Sequence, residues 1–369
     1  MSWNKWLESL RLPRALDANG PDLQQEQVER FVCSRIMEWN RELSAMCDVH
    51  RGLAVCMSPS DGAELSALSV YDNAQWHELL YRGNDWARVD DWPGRAPWLW
   101  PVAGRCIASS DTVSPDQNDE DCSWDWNGVV RKMPWHGFAR HQEWYSSPPA
   151  IMTDGVSSGA HLLSGPSNRE IYPFDFLLST SQELSNDGIE ISFKVEASSD
   201  NSGPMPFALG LHFSFDFSSW WGDEWLQGLV ENIGRFAWKT DRLAQASERL
   251  ELPANSVRLL DPALKSAIIP ASLDESIRLV CPDGDRSLEM SFKSVSASSV
   301  GDLVWVTFLD PQRRFFCLEP WIGWPNAINS GQGRVDLRPS EVWECRLGLG
   351  VSSPSCRPQP VSSSMSKKI

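Results

Sequence analysis

Two side chains in this sequence could pass protons as a pair. They are His212, in Gly210-Leu211-His212, and Glu319, in Leu318-Glu319-Pro320-Trp321. An imidazole both takes and gives a proton near neutral pH, and a carboxylate is its natural complement in general acid–base work. A third run, Met133-Pro-Trp-His-Gly-Phe-Ala-Arg140, places His136, Gly137 and Arg140 close together. Gly137 lets the backbone take positive φ or approach a ligand closely. Arg105 ends the Pro- and Gly-rich stretch Trp92–Arg105 and carries a planar cationic fork suited to oxygen ligands. One carboxylate and one imidazole can serve a reaction that runs in both directions, since each can act as acid or base.

The elements that must position these groups read as strands. In Phe207–Phe217, Leu209, Leu211, Phe213 and Phe215 fall on one face and Gly210, His212 and Ser214 on the other. His212 is therefore expected on the polar face of a half-buried strand, with small neighbours beside it. Glu319 follows a strand expected over Phe315–Leu318. Period-two alternation and turn residues mark further strands at 53–58, 63–70, 174–178, 189–195, 256–260, 277–281, 288–292, 303–308 and 340–351. Two segments read as helical. Val28, Val32, Ile36, Trp39 and Leu43 recur at three- and four-residue spacing, which predicts an amphipathic helix over 24–46 behind an irregular arm. A short helical insertion is expected over Thr240–Leu250. The Ser-, Pro- and Lys-rich end, 352–369, has too little apolar content to fold and is expected to be disordered. Many strands, few helices and no repeat predict an all-β chain built as one large β-sandwich domain over 47–351.

Composition narrows the class. A chain of 369 residues can bury a large core. The formal charge of −16 argues against a nucleic-acid partner, whose phosphates call for clustered Lys and Arg. Nine cysteines without CxxC or Cys/His ligand spacing point to a reducing, cytoplasmic setting and no metal site. No apolar run approaches the roughly 18 residues of a membrane span, so no membrane partner is expected. Twenty tryptophans against four tyrosines is unusual; indole stacks well on sugar C–H faces, but most of the twenty are expected to be plain core and structural residues. Whether the chain is a monomer or pairs through the 24–46 segment is left open by the pattern.

Several separated segments, in order, carry a resemblance. They are Asp61-Gly-Ala-Glu-Leu-Ser66, Trp92–Arg105, Pro134-Trp-His-Gly-Phe-Ala-Arg140, Tyr172-Pro-Phe-Asp-Phe176, Met205–Phe213 and Cys317-Leu-Glu-Pro-Trp-Ile-Gly323. Together they span about 50–350, and the chain resembles the aldose 1-epimerase (galactose mutarotase-like) superfamily, in particular its LacX-like branch. The resemblance implies a supersandwich fold with a sugar site on its concave face, and an isomerase that needs no cofactor. It implies that His212 is the general acid and Glu319 the general base, with Arg105, His136 and Arg140 binding the sugar. The family's sugar-binding aspartate would fall at Asp274. One departure stands out: Phe213 follows the strand histidine where the family commonly has proline. Two alternatives fit the same resemblance. One is a hexose-6-phosphate epimerase, in which an arginine clamps the phosphate. The other is a non-catalytic sugar-binding or regulatory protein that kept the fold.

Overall fold

The computed structural model describes residues 1–12, 29–83, 94–108, 122–241, 245–253, 256–273, 275–296 and 301–354. Two large antiparallel sheets face each other. One has ten strands, running through Gly155–Leu163, Phe176–Ser185, Gly188–Ala197, Val342–Ser352, Ser287–Val295 and Ser276–Val280. The other has eight and is centred on Ser266–Pro270, Leu303–Asp310, Phe315–Ile322 and Leu209–Leu211, with Phe213–Phe215 paired to Phe315–Ile322. Ring contacts join them: Trp98 meets Phe193 at 4.5 Å between centroids, and Phe292 meets Trp305 at 5.0 Å.

The two sheets differ in what covers their outer faces. Phe176–Ser185 and Gly188–Ala197 alternate buried and half-buried positions, the pattern of a sheet with one solvated face. In Phe315–Ile322 every residue is buried. Phe316, Leu318 and Ile322 join the main core, whereas Trp321 packs on the opposite face with Leu99, Ala103, Ile268, Val304 and Val306. Period-two geometry puts Cys317 and Glu319 on that second face as well. The central strand thus carries a carboxyl group between two packed layers.

Of the amphipathic helix expected over 24–46, residues 24–28 lie outside the described residues, and 29–46 do not form it. Residues Phe31–Glu38 and Arg41–Asp48 make an antiparallel hairpin instead, with Trp39 and Asn40 both at positive φ in the turn. This hairpin opens a five-stranded sheet that continues through Leu53–Ser58, Glu64–Asp72 and Gln75–Glu78. The reason is burial on two sides. Met46 faces the main core, while Leu43, Ala45 and Cys47 face a second cluster, so apolar residues occupy both parities and no clean period of two survives. A helix does occur in the supposedly irregular arm, at Trp3–Ser9. It lays Trp3, Trp6 and Leu7 on that sheet, with Trp3 Nε1–H donating to Ser69 Oγ at 3.2 Å.

The helix expected over Thr240–Leu250 is likewise replaced by a hairpin, Phe236–Asp241 with Gln245–Glu251. Its outer strand lies at the sheet edge and is exposed, so polar residues of good helix propensity serve there. Lys239 pairs with Glu248 across it, and the Arg249 guanidinium lies 3.9 Å from the centre of the Phe236 ring. The tryptophan-bearing stretch 218–227 contributes one α-helical turn, Ser218–Trp221, and one 3-10 turn, Trp225–Gln227. Most of the segment expected to be disordered, 355–369, lies outside the described residues. Among the described residues no helix is long and apolar enough to cross a membrane, and eight cysteines are free thiols.

The N-terminal helix is held on the sheet chiefly by its buried side chains Trp3, Trp6 and Leu7, which gives a measurable consequence. Trp3→Ala should lower unfolding stability by about 3–5 kcal/mol, the usual cost of deleting a buried aromatic side chain. A loss below about 1 kcal/mol in urea titration would show that the helix is a dispensable attachment.

Candidate active site

His212 and Glu319 reach each other because their segments pair. Leu209 and Gly210 stand opposite Ile322 and Trp321, and Phe213 stands opposite Leu318. The short break at His212 is held from the other side, where its N–H donates to Pro97 O at 3.0 Å. His212 Nε2 then lies 3.3 Å from Glu319 Oε1, with the carboxyl fully buried and the imidazole nearly so. The face expected to be polar on a half-buried strand is instead covered by a second packed layer, so His212 and every residue of Leu209–Leu211 and Phe213–Phe215 are buried. The shared face itself holds: Ser214 Oγ sits 3.4 Å from His212 Nδ1. It also lies 3.6 Å from Cys317 Sγ.

His136 joins through a loop stapled to the segment 100–104. Its N–H donates to Gly104 O at 3.1 Å. Gly104 N–H returns a bond of 3.0 Å to His136 Nδ1, so the neutral ring keeps its proton on Nε2. His136 itself is at φ +63° and Gly137 at +74°. A Cβ on Gly137 would stand 2.1 Å from Trp100 O, so both reasons for glycine named from the sequence apply here. The rings of His136 and His212 meet edge to face at 5.3 Å, and Trp135 lies against His136 at 4.4 Å.

Arg140 is half-buried and turns its charge toward this group. Its Nη2 donates to Trp135 O at 3.4 Å, and its charge opposes protonation of both His136 and His212. Arg105 is buried, and its guanidinium bonds the Cys122 thiol. It meets the site through its neighbour Gly104, whose backbone holds His136. Asp274 lies outside the described residues. Three groups beside the pair were quoted from the sequence without being given a role: Ser214, Cys317 and Trp321. Their signal was present, since each lies two residues from His212 or Glu319 on an extended segment and so shares its face. Under the Phe213–Phe215 segment, Arg95 forms a buried ion pair with Glu64, and its carbonyl accepts from Ser214 N–H at 2.9 Å.

The electrostatics follow from depth. Burial raises the Glu319 carboxyl well above the usual carboxylate range, with the Trp321 N–H pulling the other way. Burial, then the Arg140 charge, pushes His212 down to about 3. His136 is also held well below its ordinary value, by burial first and then by the charges of His212, Arg140 and His141. Both shifts favour the uncharged forms, so burial biases the proton of the pair toward the carboxyl and away from the imidazole. Such a pair offers an acid and a base at one point. Among the described residues, His212, Cys317 and Glu319 also form a set whose ligand atoms lie within 4.8 Å of one another. Burial raises the Cys317 thiol well above its ordinary value too, so a metal ion there would have to displace protons from two ligands.

Residues 50–242 match the family model for aldose 1-epimerase. That span includes Arg105, His136, Arg140 and His212, while Glu319 lies beyond it. The solved structures that the fold is similar to include a protein from Synechocystis sp. PCC 6803, at 19% identity and TM-score 0.64, covering 90% of this chain and 100% of that one. A galactose mutarotase related enzyme from Lactobacillus acidophilus gives 18% identity and TM-score 0.64, covering 87% and 98%. A galactose mutarotase-like protein from Clostridium acetobutylicum gives 16% and 0.65, covering 88% and 99%. At these identities the likeness concerns the fold. No curated protein matches the chain.

The depth of Glu319 has a thermodynamic signature. A carboxyl whose folded pKa is raised binds its proton more tightly in the folded than in the unfolded state, so its contribution to stability falls as pH rises above its ordinary value of 4.5. Glu319→Gln removes that loss while still able to accept from Trp321 and donate to His212. The variant should therefore become more stable than the parent as pH rises from about 4.5 to 7, with the gap closing again on acidification. Parallel melting curves with a pH-independent difference would mean that the carboxyl is not held in its neutral form.

Proposed function

From the premise that the chain belongs to the aldose 1-epimerase family, we propose that it interconverts the α and β anomers of a hexose. Glu319 acts as base, His212 as acid, and the other site residues hold the sugar. The observation that carries this reading is the 3.3 Å approach of His212 Nε2 to Glu319 Oε1 in a buried site.

Anomer exchange requires opening the pyranose ring. Glu319 takes the proton of the anomeric hydroxyl as the bond from C1 to the ring oxygen breaks, and His212 delivers a proton to that oxygen. The open-chain aldehyde turns about its C1–C2 bond. Closure from the other face returns both protons by the reverse route. Between substrates burial favours the proton's place on Glu319. Transfer to His212 arms both groups when sugar oxygens enter and hydrogen-bond the charged forms. The reaction has no net proton change, which a pair sharing one proton serves in either direction. His136, with its proton fixed on Nε2 by Gly104, is a hydrogen-bond donor for a sugar hydroxyl. Arg140 supplies the site's half-exposed cation, and a phosphorylated hexose is the specific alternative that such a cation would favour.

The test is exchange between anomers followed by NMR magnetisation transfer, for glucose, galactose and their 6-phosphates. The protein should accelerate exchange of at least one sugar. Glu319→Gln should cut the rate by roughly 100- to 10,000-fold, the usual weight of a general base. A preference for the phosphates that disappears in Arg140→Gln would assign the phosphorylated substrate. A folded protein that accelerates none of the four would overturn the proposal and leave a binding protein of this family.

A further inference from the structure

Glu319 has two carboxyl oxygens, and they meet different partners. Oε1 faces His212 Nε2 at 3.3 Å, whereas Oε2 accepts the Trp321 Nε1–H at 3.0 Å. Trp321 is fully buried and lies two residues further along the same strand, on the same face. Its indole is itself fixed on several sides. It packs with Leu99, Ile268, Val304 and Val306, and its ring stands edge to face against His136 at 6.1 Å and 84°. Across the sheet its register partner is Gly210. A Cβ added to Gly210 would stand 2.7 Å from Trp321 Cδ1, 3.0 Å from its Nε1 and 3.0 Å from Leu99 Cδ1. Gly210 lies in an ordinary strand, Leu209–Leu211, so its missing side chain provides space for the indole.

From this geometry we infer that Trp321 is the positioning residue for the base. It holds Oε2 so that Oε1 is the oxygen delivered to the anomeric hydroxyl, and Gly210 is the opening that admits the indole. This rests on the reading of Glu319 as the base. The site gains in two ways. A carboxyl held by one oxygen cannot rotate its reactive oxygen away, which keeps the reacting atoms in line. The N–H also favours the anionic form against the burial that opposes it, so it brings the base closer to its working state. The other ionisable groups facing Glu319 are His212 from the paired segment and Cys317 from its own strand. His136 and Arg140 stand behind His212, while the strand Leu303–Asp310 presents Val306 in register.

The test uses Trp321→Phe, which keeps an aromatic ring and removes the donor, together with Gly210→Ala and the double variant. In Trp321→Phe, kcat should fall roughly 10- to 100-fold, the weight of one hydrogen bond to a charged group, with KM changed less than about 2-fold. The acid limb of its pH–rate profile should move to higher pH. In the substrate-free protein the Glu319 carboxyl, followed by carbon-13 NMR, should titrate at higher pH than in the parent. Gly210→Ala should shift kcat and the titration in the same direction. The double variant should be no more than about 3-fold slower than Trp321→Phe, because both changes act through the same bond. An unchanged carboxyl titration in Trp321→Phe would overturn the inference, and so would a double variant whose loss is the full product of the two single losses. If Trp321→Phe does not fold, the titration of Gly210→Ala decides alone, in the same sense. Absence of epimerase activity in every form would defeat the reading of Glu319 as the base, while the titration would still decide whether Trp321 sets this carboxyl.

Discussion

The structure depends on how a carboxyl group is kept in a place that water does not reach. Glu319 sits in the middle of a strand covered on both faces, and an isolated charge there would be strongly penalised. Three features bear on its tolerance there. It can hold a proton, it faces an imidazole with one oxygen, and it accepts an indole N–H with the other. Each of these partners is fixed by a different part of the sheet. The result is a carboxyl whose hold on its proton is set by its surroundings, as is usual at sites of proton-transfer chemistry.

The surroundings serve that pair by rigidity. The strands Leu303–Asp310 and Phe315–Ile322 are in full register, so the two layers on either side of Glu319 cannot slip by one residue without turning every side chain to the wrong face. Opposite them, the loop of His136 is tied to residues 100–104 by backbone N–H groups that donate to Trp100 O and Gly104 O, and by Gly104 N–H, which donates to the His136 ring. It is closed so tightly at Gly137 that no side chain fits. Catalytic groups on strands and on a stapled loop hold their geometry better than groups on free loops. Arg105 shows the same economy of design at one remove. Its guanidinium is turned to Cys122, while the chain beside it secures the His136 tautomer.

A good part of this was legible in the residues. Alternation in Phe207–Phe217 put His212 on the face away from the core, and the all-β character followed from repeated short alternating runs and turn residues. The two misreadings share a cause. Around Leu43–Cys47 and Thr240–Leu250 the strands are buried on both faces or exposed at an edge, and neither situation leaves a two-residue period to read. A three- and four-residue spacing of apolar side chains then imitates a helix by coincidence. Trp321 was quoted within its motif but carried no role, because an indole is most often plain core and nothing local marks one that donates to a carboxyl.

The sequence by itself determined the parity of each chemical group along its strand, because successive side chains of an extended chain must point to opposite faces. It also determined that Gly137 would be a place of positive φ or close approach. Only the tertiary structure decided that His212 and Glu319 meet, that Trp321 holds one carboxyl oxygen across from Gly210, and that burial strengthens the carboxyl's hold on its proton. Those facts depend on which strands pair, in which register and at what depth. Strand pairing joins residues more than a hundred positions apart, and depth is a property of layers that no single segment contains.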